Sequence, residues 1–310
     1  MHQPVLYNEI IHAIAPRRGG LYVDGTLGAG GHAWGILEAS SPDGRLLGLD
    51  VDPQALTLAQ EKLASFGERA ILAQASYTSL AEQLKALDWA AVDGILLDLG
   101  VSSMQLDTPE RGFSFLAEAP LDMRFDPRSR RTAAELVNEL PERELADIIY
   151  QYGEERNARQ VARAIVRARP LSSTRQLAQV VARVTSGGGS GIHPATRTFQ
   201  ALRIAVNQEL ERLEEVLPLA ISALRKGTAE YPAGRLAVIA FHSLEDRLVK
   251  QYFRREGRDC LCPPRQPICT CGHRAILREL TRQPIRPQEE EIKQNPRARS
   301  ARLRIVERIN

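Results

Sequence analysis

The chain has 310 residues, 43% of them hydrophobic and 25% charged, with a formal net charge of +3 and four cysteines. That balance excludes a disordered or fibrous chain and fits a globular one of one large domain or two ordinary ones. No apolar run approaches the roughly twenty residues that cross a bilayer, and Met1-His2-Gln3-Pro4-Val5 lacks the charged-then-apolar pattern of a signal peptide, so no membrane partner is expected and a cytoplasmic location follows by default.

The first hundred residues alternate strand and helix. Leu21–Asp24 reads as a strand that runs into Gly25-Thr26-Leu27-Gly28-Ala29-Gly30-Gly31-His32, with Ala33–Ala39 as the following helix. Arg45–Leu49 is the second strand and ends on Asp50, and Pro53–Phe66 is the second helix, with proline near the first turn where a missing N–H costs little. Ala70–Gln74, Leu80–Leu87 and Val92–Asp98 continue as strand, helix and strand, the last an apolar run of the kind buried in a parallel sheet.

The glycines permit a sharp bend and close approach to a ligand. An acid at the tip of the second strand, Asp50, is placed to accept hydrogen bonds from ribose hydroxyls. Gly28-x-Gly30-x-x-Ala33 fits the dinucleotide fingerprint, so an NAD-dependent oxidoreductase is one reading. The carboxylate of Asp24 at the end of the first strand suits a sulfonium-bearing amino acid better than a pyrophosphate, which favours S-adenosylmethionine (SAM). The strand ending at Asp98 is followed by Leu99-Gly100-Val101-Ser102-Ser103. Parallel sheets place their chemistry beyond such carboxyl ends, which points Asp98 at a substrate. Tyr77, after the third strand, either packs on an adenine ring or caps the surface.

Past residue 105 the rhythm changes. Thr108–Arg131 is loop-like, and helical patterns follow at Thr132–Asn138, Glu142–Tyr150, Glu154–Arg169 and Thr174–Val184, with a flexible break at Gly187–Gly191. A helix resumes near Pro194 and is closed by Gly227 and Gly234. Strand character returns at Arg235–Phe241, then a helix at Leu244–Arg255 and a final strand at Ala301–Ile309, with Ile276–Leu280 as its partner. After the fifth strand, Ser243 and Asp246 are spaced as a capping pair, which leaves His242 to face the cleft. The expected architecture is one doubly wound α/β domain, residues 1–104 and 206–310, interrupted by an all-helical insertion, 105–205.

Residues 1–126 hold 8 Lys/Arg against 17 Asp/Glu, whereas residues 127–310 hold 33 against 21. Arginine supplies most of the positive charge, and its planar fork suits phosphate and stacks on bases. A polyanionic partner is therefore expected, although a basic half also serves solubility. Arg156, Arg159, Arg163 and Arg167 recur along one helix face, opposite Val161 and Ile165. Arg197 and Arg203 either grip phosphates or are tied to acids such as Glu209. Cys260, Cys262, Cys269 and Cys271 form two C-x-C pairs around a proline-rich loop, open to a zinc site, free thiols or disulfides.

The segments Val23–His32, Leu97–Gln105, Glu110–Asp126, His193–Arg203, Phe241–Arg247 and Asn295–Arg299 together resemble the bacterial small-subunit ribosomal RNA (cytosine-N4)-methyltransferase family over nearly the whole chain. The resemblance implies a class I SAM-dependent methyltransferase fold with an inserted helical domain. It implies methylation of a cytidine exocyclic amine in small-subunit rRNA, within an assembled or assembling subunit, rather than of DNA. It implies cofactor contacts at Gly30, Gly31, His32, Asp50, Tyr77, Asp98 and Gln105. Tyr77 stands where phenylalanine is common, and the cysteine cluster is not shared by all members. Asp98 is the expected acceptor for the amine, with His242 a second candidate for proton removal. The usual stacking aromatic after the fourth strand is missing, so Phe113 or Phe115 is expected to stack the base. A non-catalytic ribosome-assembly factor with the same fold is the remaining alternative.

Overall fold

Strands form where apolar residues run without a helical period, and in this chain five such runs lie side by side. The computed structural model describes residues 4–185, 193–263, 266 and 268–309; the expected break at 187–191 lies outside them. β1 (Leu21–Asp24), β2 (Arg45–Asp50), β3 (Ala70–Gln74) and β4 (Gly94–Asp98) pair in parallel with β5 (Arg235–Ala240), while β6 (Leu277–Glu279) and β7 (Arg302–Arg308) close the sheet antiparallel, in the order β3-β2-β1-β4-β5-β7-β6. The helices of this unit are α1 (Tyr7–Ile14), α2 (Gly31–Ala39), α3 (Pro53–Leu63) and α4 (Leu80–Ala86), then α11 (Glu209–Ala223), α12 (Ser243–Glu256) and α13 (Glu289–Gln294). This is the doubly wound class expected, with Ile276–Leu280 pairing against the last strand as read.

Alternation along the strands feeds two cores. Val23, Leu47, Leu97 and Val238 pack on one face with Leu213 and Leu217 of α11 and Phe253 of α12. Tyr22, Leu46, Leu96 and Ile239 pack on the other with Ile10, Ile36 and Leu37. Successive side chains must point to opposite faces, and burying each such residue contributes about 1.5–3 kcal/mol. The strand order reverses between β1 and β4, which opens a crevice at their carboxyl ends.

Several boundaries shift for local reasons. β4 starts at Gly94 rather than Val92, because the preceding Asp93 turns to accept from Arg17 and Arg225. α2 starts at Gly31, two residues before the apolar pattern begins, and α3 ends at Leu63, where a 3-10 turn takes over. The helix read as continuous from Pro194 is two, because Gln208 takes a left-handed φ of 52° between them. α1 and α13 were not predicted.

The second compact unit runs from Val101 to Glu209, four residues wider at each end than 105–205. Its helices are α5 (Ser103–Asp107), α6 (Ala133–Glu139), α7 (Glu142–Gly153), α8 (Ala158–Arg167), α9 (Thr174–Val184) and α10 (Thr196–Asn207). Leu136, Ile149, Val161, Ile165, Leu177 and Leu202 bury one stripe of each longer helix in a common core. Three starts are fixed by capping boxes, Ser102 with Gln105, Thr132 with Glu135 and Ser173 with Gln176. Each satisfies two amides that a helix leaves unpaired. Between α5 and α6 the irregular segment is pinned by Arg111, which donates to the Arg124 and Phe125 carbonyls, and by the Phe125 amide donating to Asn207.

Candidate active site

The turn after β1 is built by glycine. Gly28 (φ 52°) and Gly30 (φ 74°) hold left-handed conformations that a side chain would strain. Leu27 donates its amide to the Leu49 carbonyl at 2.9 Å, and Gly28 donates to Asp50 Oδ2 at 2.8 Å, so the turn is tied to the end of β2. Asp50 Oδ1 accepts the Asp52 amide at 2.9 Å. Burial raises the Asp50 carboxyl, and the Asp52 and Gly28 amides pull it back. With the Val51 amide these make three backbone donors to a carboxylate that offers about four acceptor sites, so capacity for a further donor such as a ribose hydroxyl remains.

At the reversal point the turn meets β4. The Asp98 amide donates to Thr26 Oγ1 at 2.6 Å, and His32 Nε2 lies 3.6 Å from Asp98 Oδ2. His32 is only 5% exposed. Both its ring nitrogens and Asp98 Oδ1 are buried without a hydrogen-bond partner among the described residues. Each such atom costs about 1–3 kcal/mol, so the crevice is built for a polar ligand. Asp24, 1% exposed, is pushed up to about 7 by burial; His32 and the Thr26 amide pull it down, while Asp98 and Asp50 push it further up. A cationic ligand would drive it to the carboxylate.

Tyr77 opens a short 3-10 turn capped by Ser76 and packs partly buried against the same core. A Cβ at Gly25 would stand 3.2 Å from Tyr77 Cβ, so the ring's turn lies against the β1 turn. Gly30, Gly31, His32, Asp50, Tyr77 and Asp98 thus gather at the carboxyl ends of neighbouring strands. Gln105 belongs to the other unit, where its buried amide closes the box with Ser102. Thr26 was not singled out from the sequence; a hydroxyl between Gly25 and Leu27 carries no motif of its own.

His242 is engaged at the start of α12, and its Nε2 is buried without a hydrogen-bond partner among the described residues. The histidine, and not Ser243, caps α12: Nδ1 accepts the Glu245 amide at 3.3 Å, and Nε2 stands 3.1 Å from Glu245 Oε1. Glu245 in turn accepts the Phe241 amide at 2.8 Å. Asp246, read as the capping partner, is held by Arg304 at 2.7 Å and Arg302 at 3.1 Å. Burial alone would raise its carboxyl, but the two arginines outweigh it and hold it below the ordinary range.

In the helical unit, Phe115 stacks on His193 at 4.5 Å with Phe199 edge-on, and Phe113 stacks on Phe125 at 5.5 Å, so both rings are already engaged in packing. Arg203 is bidentate on Glu209 at 2.8 Å, and Arg197 lies 3.6 Å from Glu155, so these two are tied to acids. Arg156, Arg159, Arg163 and Arg167 are all exposed on α8 and its entry, opposite buried Val161 and Ile165. Arg163 leans 3.3 Å from Glu142, whereas Arg159 and Arg167 have no acid partner among the described residues.

The sequence profile of the MraW methylase family matches residues 1–309. The chain is 53% identical to ribosomal RNA small subunit methyltransferase H of Thermomicrobium roseum, over 99% of this chain and 94% of that protein. It is 52% identical to the protein of the same name from Syntrophotalea carbinolica, over 99% and 98%, and 51% identical to that of Dehalococcoides mccartyi, over 99% and 86%.

Proposed function

The chain belongs to the MraW methylase family, and from that membership we propose how its crevice performs the reaction. It transfers a methyl group from SAM to the N4 amine of a cytidine in small-subunit (16S) ribosomal RNA. Bound SAM supplies a methyl activated by its sulfonium. The residues fit such a donor: a glycine turn open to close approach, Asp50 with acceptor capacity left for ribose, and the proton-sharing Asp24 ready to ionise beside positive charge. The same Asp24 disfavours the dinucleotide reading, since a pyrophosphate would be repelled there.

A cytosine amine is a weak nucleophile because its lone pair is delocalised into the ring. Asp98 Oδ1, buried and unpartnered, accepts a hydrogen bond from that amine and restores electron density to nitrogen. As the N–C bond forms and the S–C bond breaks, Asp98 takes the departing proton and passes it to solvent. His32 Nε2 stands 3.6 Å from the other oxygen without a hydrogen bond to it. His242 is a positioning residue, since its Nδ1 is committed to the α12 cap. Holding the two reactants in line supplies much of the remaining rate. The target base enters unstacked, presented by RNA within an assembling small subunit.

The observation that carries this reading is the unpartnered Asp98 oxygen beside His32 at the β1–β4 reversal. Mass spectrometry of rRNA nucleosides from a deletion strain tests it: the N4-methylcytidine signal should fall at one position. An undiminished signal would reject the activity, and methyl incorporation into naked rRNA, assembled subunits and whole ribosomes would identify the substrate form.

A further inference from the structure

The methyltransferase chemistry leaves one cluster of reactive side chains unused. Between α12 and the edge strand β6 the chain makes an excursion that carries all four cysteines. Their sulfurs converge: Cys260 Sγ lies 3.4 Å from Cys269 Sγ and 3.8 Å from Cys271 Sγ, Cys269 Sγ lies 3.6 Å from Cys271 Sγ, and all four sulfurs fall within 4.8 Å of one another. We infer that Cys260, Cys262, Cys269 and Cys271 form a tetrahedral structural zinc site.

Zinc–thiolate bonds of about 2.3 Å place the sulfurs of a tetrahedral site about 3.8 Å apart, close to the 3.4–3.8 Å separations among Cys260, Cys269 and Cys271 and inside the 4.8 Å that bounds all four. The backbone around the sulfurs is arranged for thiolates. The middle residue of each C-x-C pair reaches across to the other pair: Leu261 donates its amide to Cys271 Sγ at 3.3 Å, and Thr270 donates to Cys262 Sγ at 3.4 Å. Cys262 donates its own amide to Cys260 Sγ at 3.4 Å. Amide bonds to ligand atoms orient a first coordination shell and spread its negative charge. This reciprocal exchange explains how a one-residue spacer serves where two residues are usual.

The fifth candidate ligand is engaged elsewhere, because His273 Nε2 lies 3.1 Å from the Arg255 carbonyl at the end of α12. A 4.8 Å spread leaves no room for an iron–sulfur cluster between the sulfurs, and a single site of this kind binds zinc more tightly than ferrous iron. With four thiolates the coordination is closed, so the metal holds the excursion in shape and does not touch substrate. Binding takes up the four thiolates and releases their protons to solvent.

The test is metal analysis of the full-length protein purified under reducing conditions. One zinc per chain is expected, released in step with organomercurial titration of four thiols. Replacement by Co(II) should give intense thiolate-to-cobalt charge transfer and the visible bands of a tetrahedral ion. Cys269→Ser should weaken zinc binding at least tenfold, by competition with a chromogenic chelator. Metal-free protein with four freely titrating thiols, stoichiometric iron, or a pair of disulfides would each overturn the assignment. The wild-type metal content decides the question even where the variant folds poorly.

Discussion

Asp93 and Asp98 stand at opposite ends of the same region of chain, one just before β4 and the other at its last residue, and their surroundings differ in every respect. Asp93 Oδ1 accepts from Arg17 at 2.6 Å and Arg225 at 2.7 Å, while Oδ2 accepts the Leu21 amide at 2.8 Å. Asp98 has one oxygen without a partner and the other 3.6 Å from an imidazole. The first carboxylate, 7% exposed on its side chain, joins the entries of two strands and the loop after α11. The second is left incomplete by the fold, and under the function proposed above its partner is the cytosine amine. Buried acids are costly either way; the satisfied one holds the architecture together, and the unsatisfied one is the acid to which the proposed reaction gives a role.

Reciprocal substitution breaks this comparison most sharply. Asp98→Ala should lower methyl incorporation from labelled SAM by about 10²–10⁴-fold, the usual worth of a positioned proton acceptor, while the melting temperature holds or rises because an unpartnered oxygen is removed. Asp93→Ala should do the reverse. It leaves Arg17 and Arg225 without their shared acceptor, and because those arginines are about a third exposed the loss sits near the lower end for a buried pair, about 3 kcal/mol by denaturant unfolding, while the folded fraction remains active. Equal effects of the two variants on stability would dissolve the distinction.

Asp24 sharpens the same contrast through pH. Its carboxyl is raised to about 7 by burial, so the neutral form favours folding. That contribution is fully present below pH ~4 and is lost as pH rises through about 7. Between pH 5.5 and pH 8 the ligand-free protein should lose about 2 kcal/mol relative to Asp24→Asn, read from thermal melts at the two pH values. A positively charged ligand favours the ionised carboxyl, so affinity for SAM should rise about tenfold between pH 6 and 7.5 in calorimetry. Asp24→Asn should flatten that rise. Parallel stability profiles for the two proteins would mean that the carboxyl titrates normally.

What was legible in the sequence follows the same division. Strand runs, the glycine turn and the amphipathic helices are local patterns, and β1 through β5 and α6 through α9 formed where their periodicity lay. Asp24, Asp50 and Asp98 were legible because a carboxylate at a strand tip is a local feature with a known geometric consequence. Long-range partners were not. Nothing near Asp93 announces Arg17 and Arg225, and nothing near Asp246 announces Arg302 and Arg304, 56 and 58 residues away. The cap of α12 falls on His242 instead of Ser243 for the same reason. The serine after it is the better capping residue by propensity, but Glu245 reaches back to the Phe241 and His242 amides and moves the helix start one residue earlier. The left-handed Gln208 that separates α10 from α11 has no glycine to mark it.

The arginine stripe of α8 extends the comparison to the helical unit, where satisfied and unsatisfied charges lie side by side. Arg203 is spent on Glu209, and Arg163 is partly spent on Glu142 across an exposed gap, whereas Arg159 presents its guanidinium to solvent. If the free charges receive RNA phosphates, each lost contact removes one released counterion, and the slope of log affinity against log salt falls by about 0.7–0.9 per contact. Arg159→Ala combined with Arg163→Ala should therefore reduce the slope by about 1.5 in titrations of 16S RNA fragments. The melting temperature should hold, because an exposed pair such as Arg163–Glu142 contributes at most about 1 kcal/mol. Arg18→Ala, which removes an exposed arginine 3.4 Å from Asp43 in the acidic half of the chain, should leave the slope alone. An identical slope for the double variant and the wild type would make the stripe an ordinary solvated helix face, and the excess of arginine would then need another explanation.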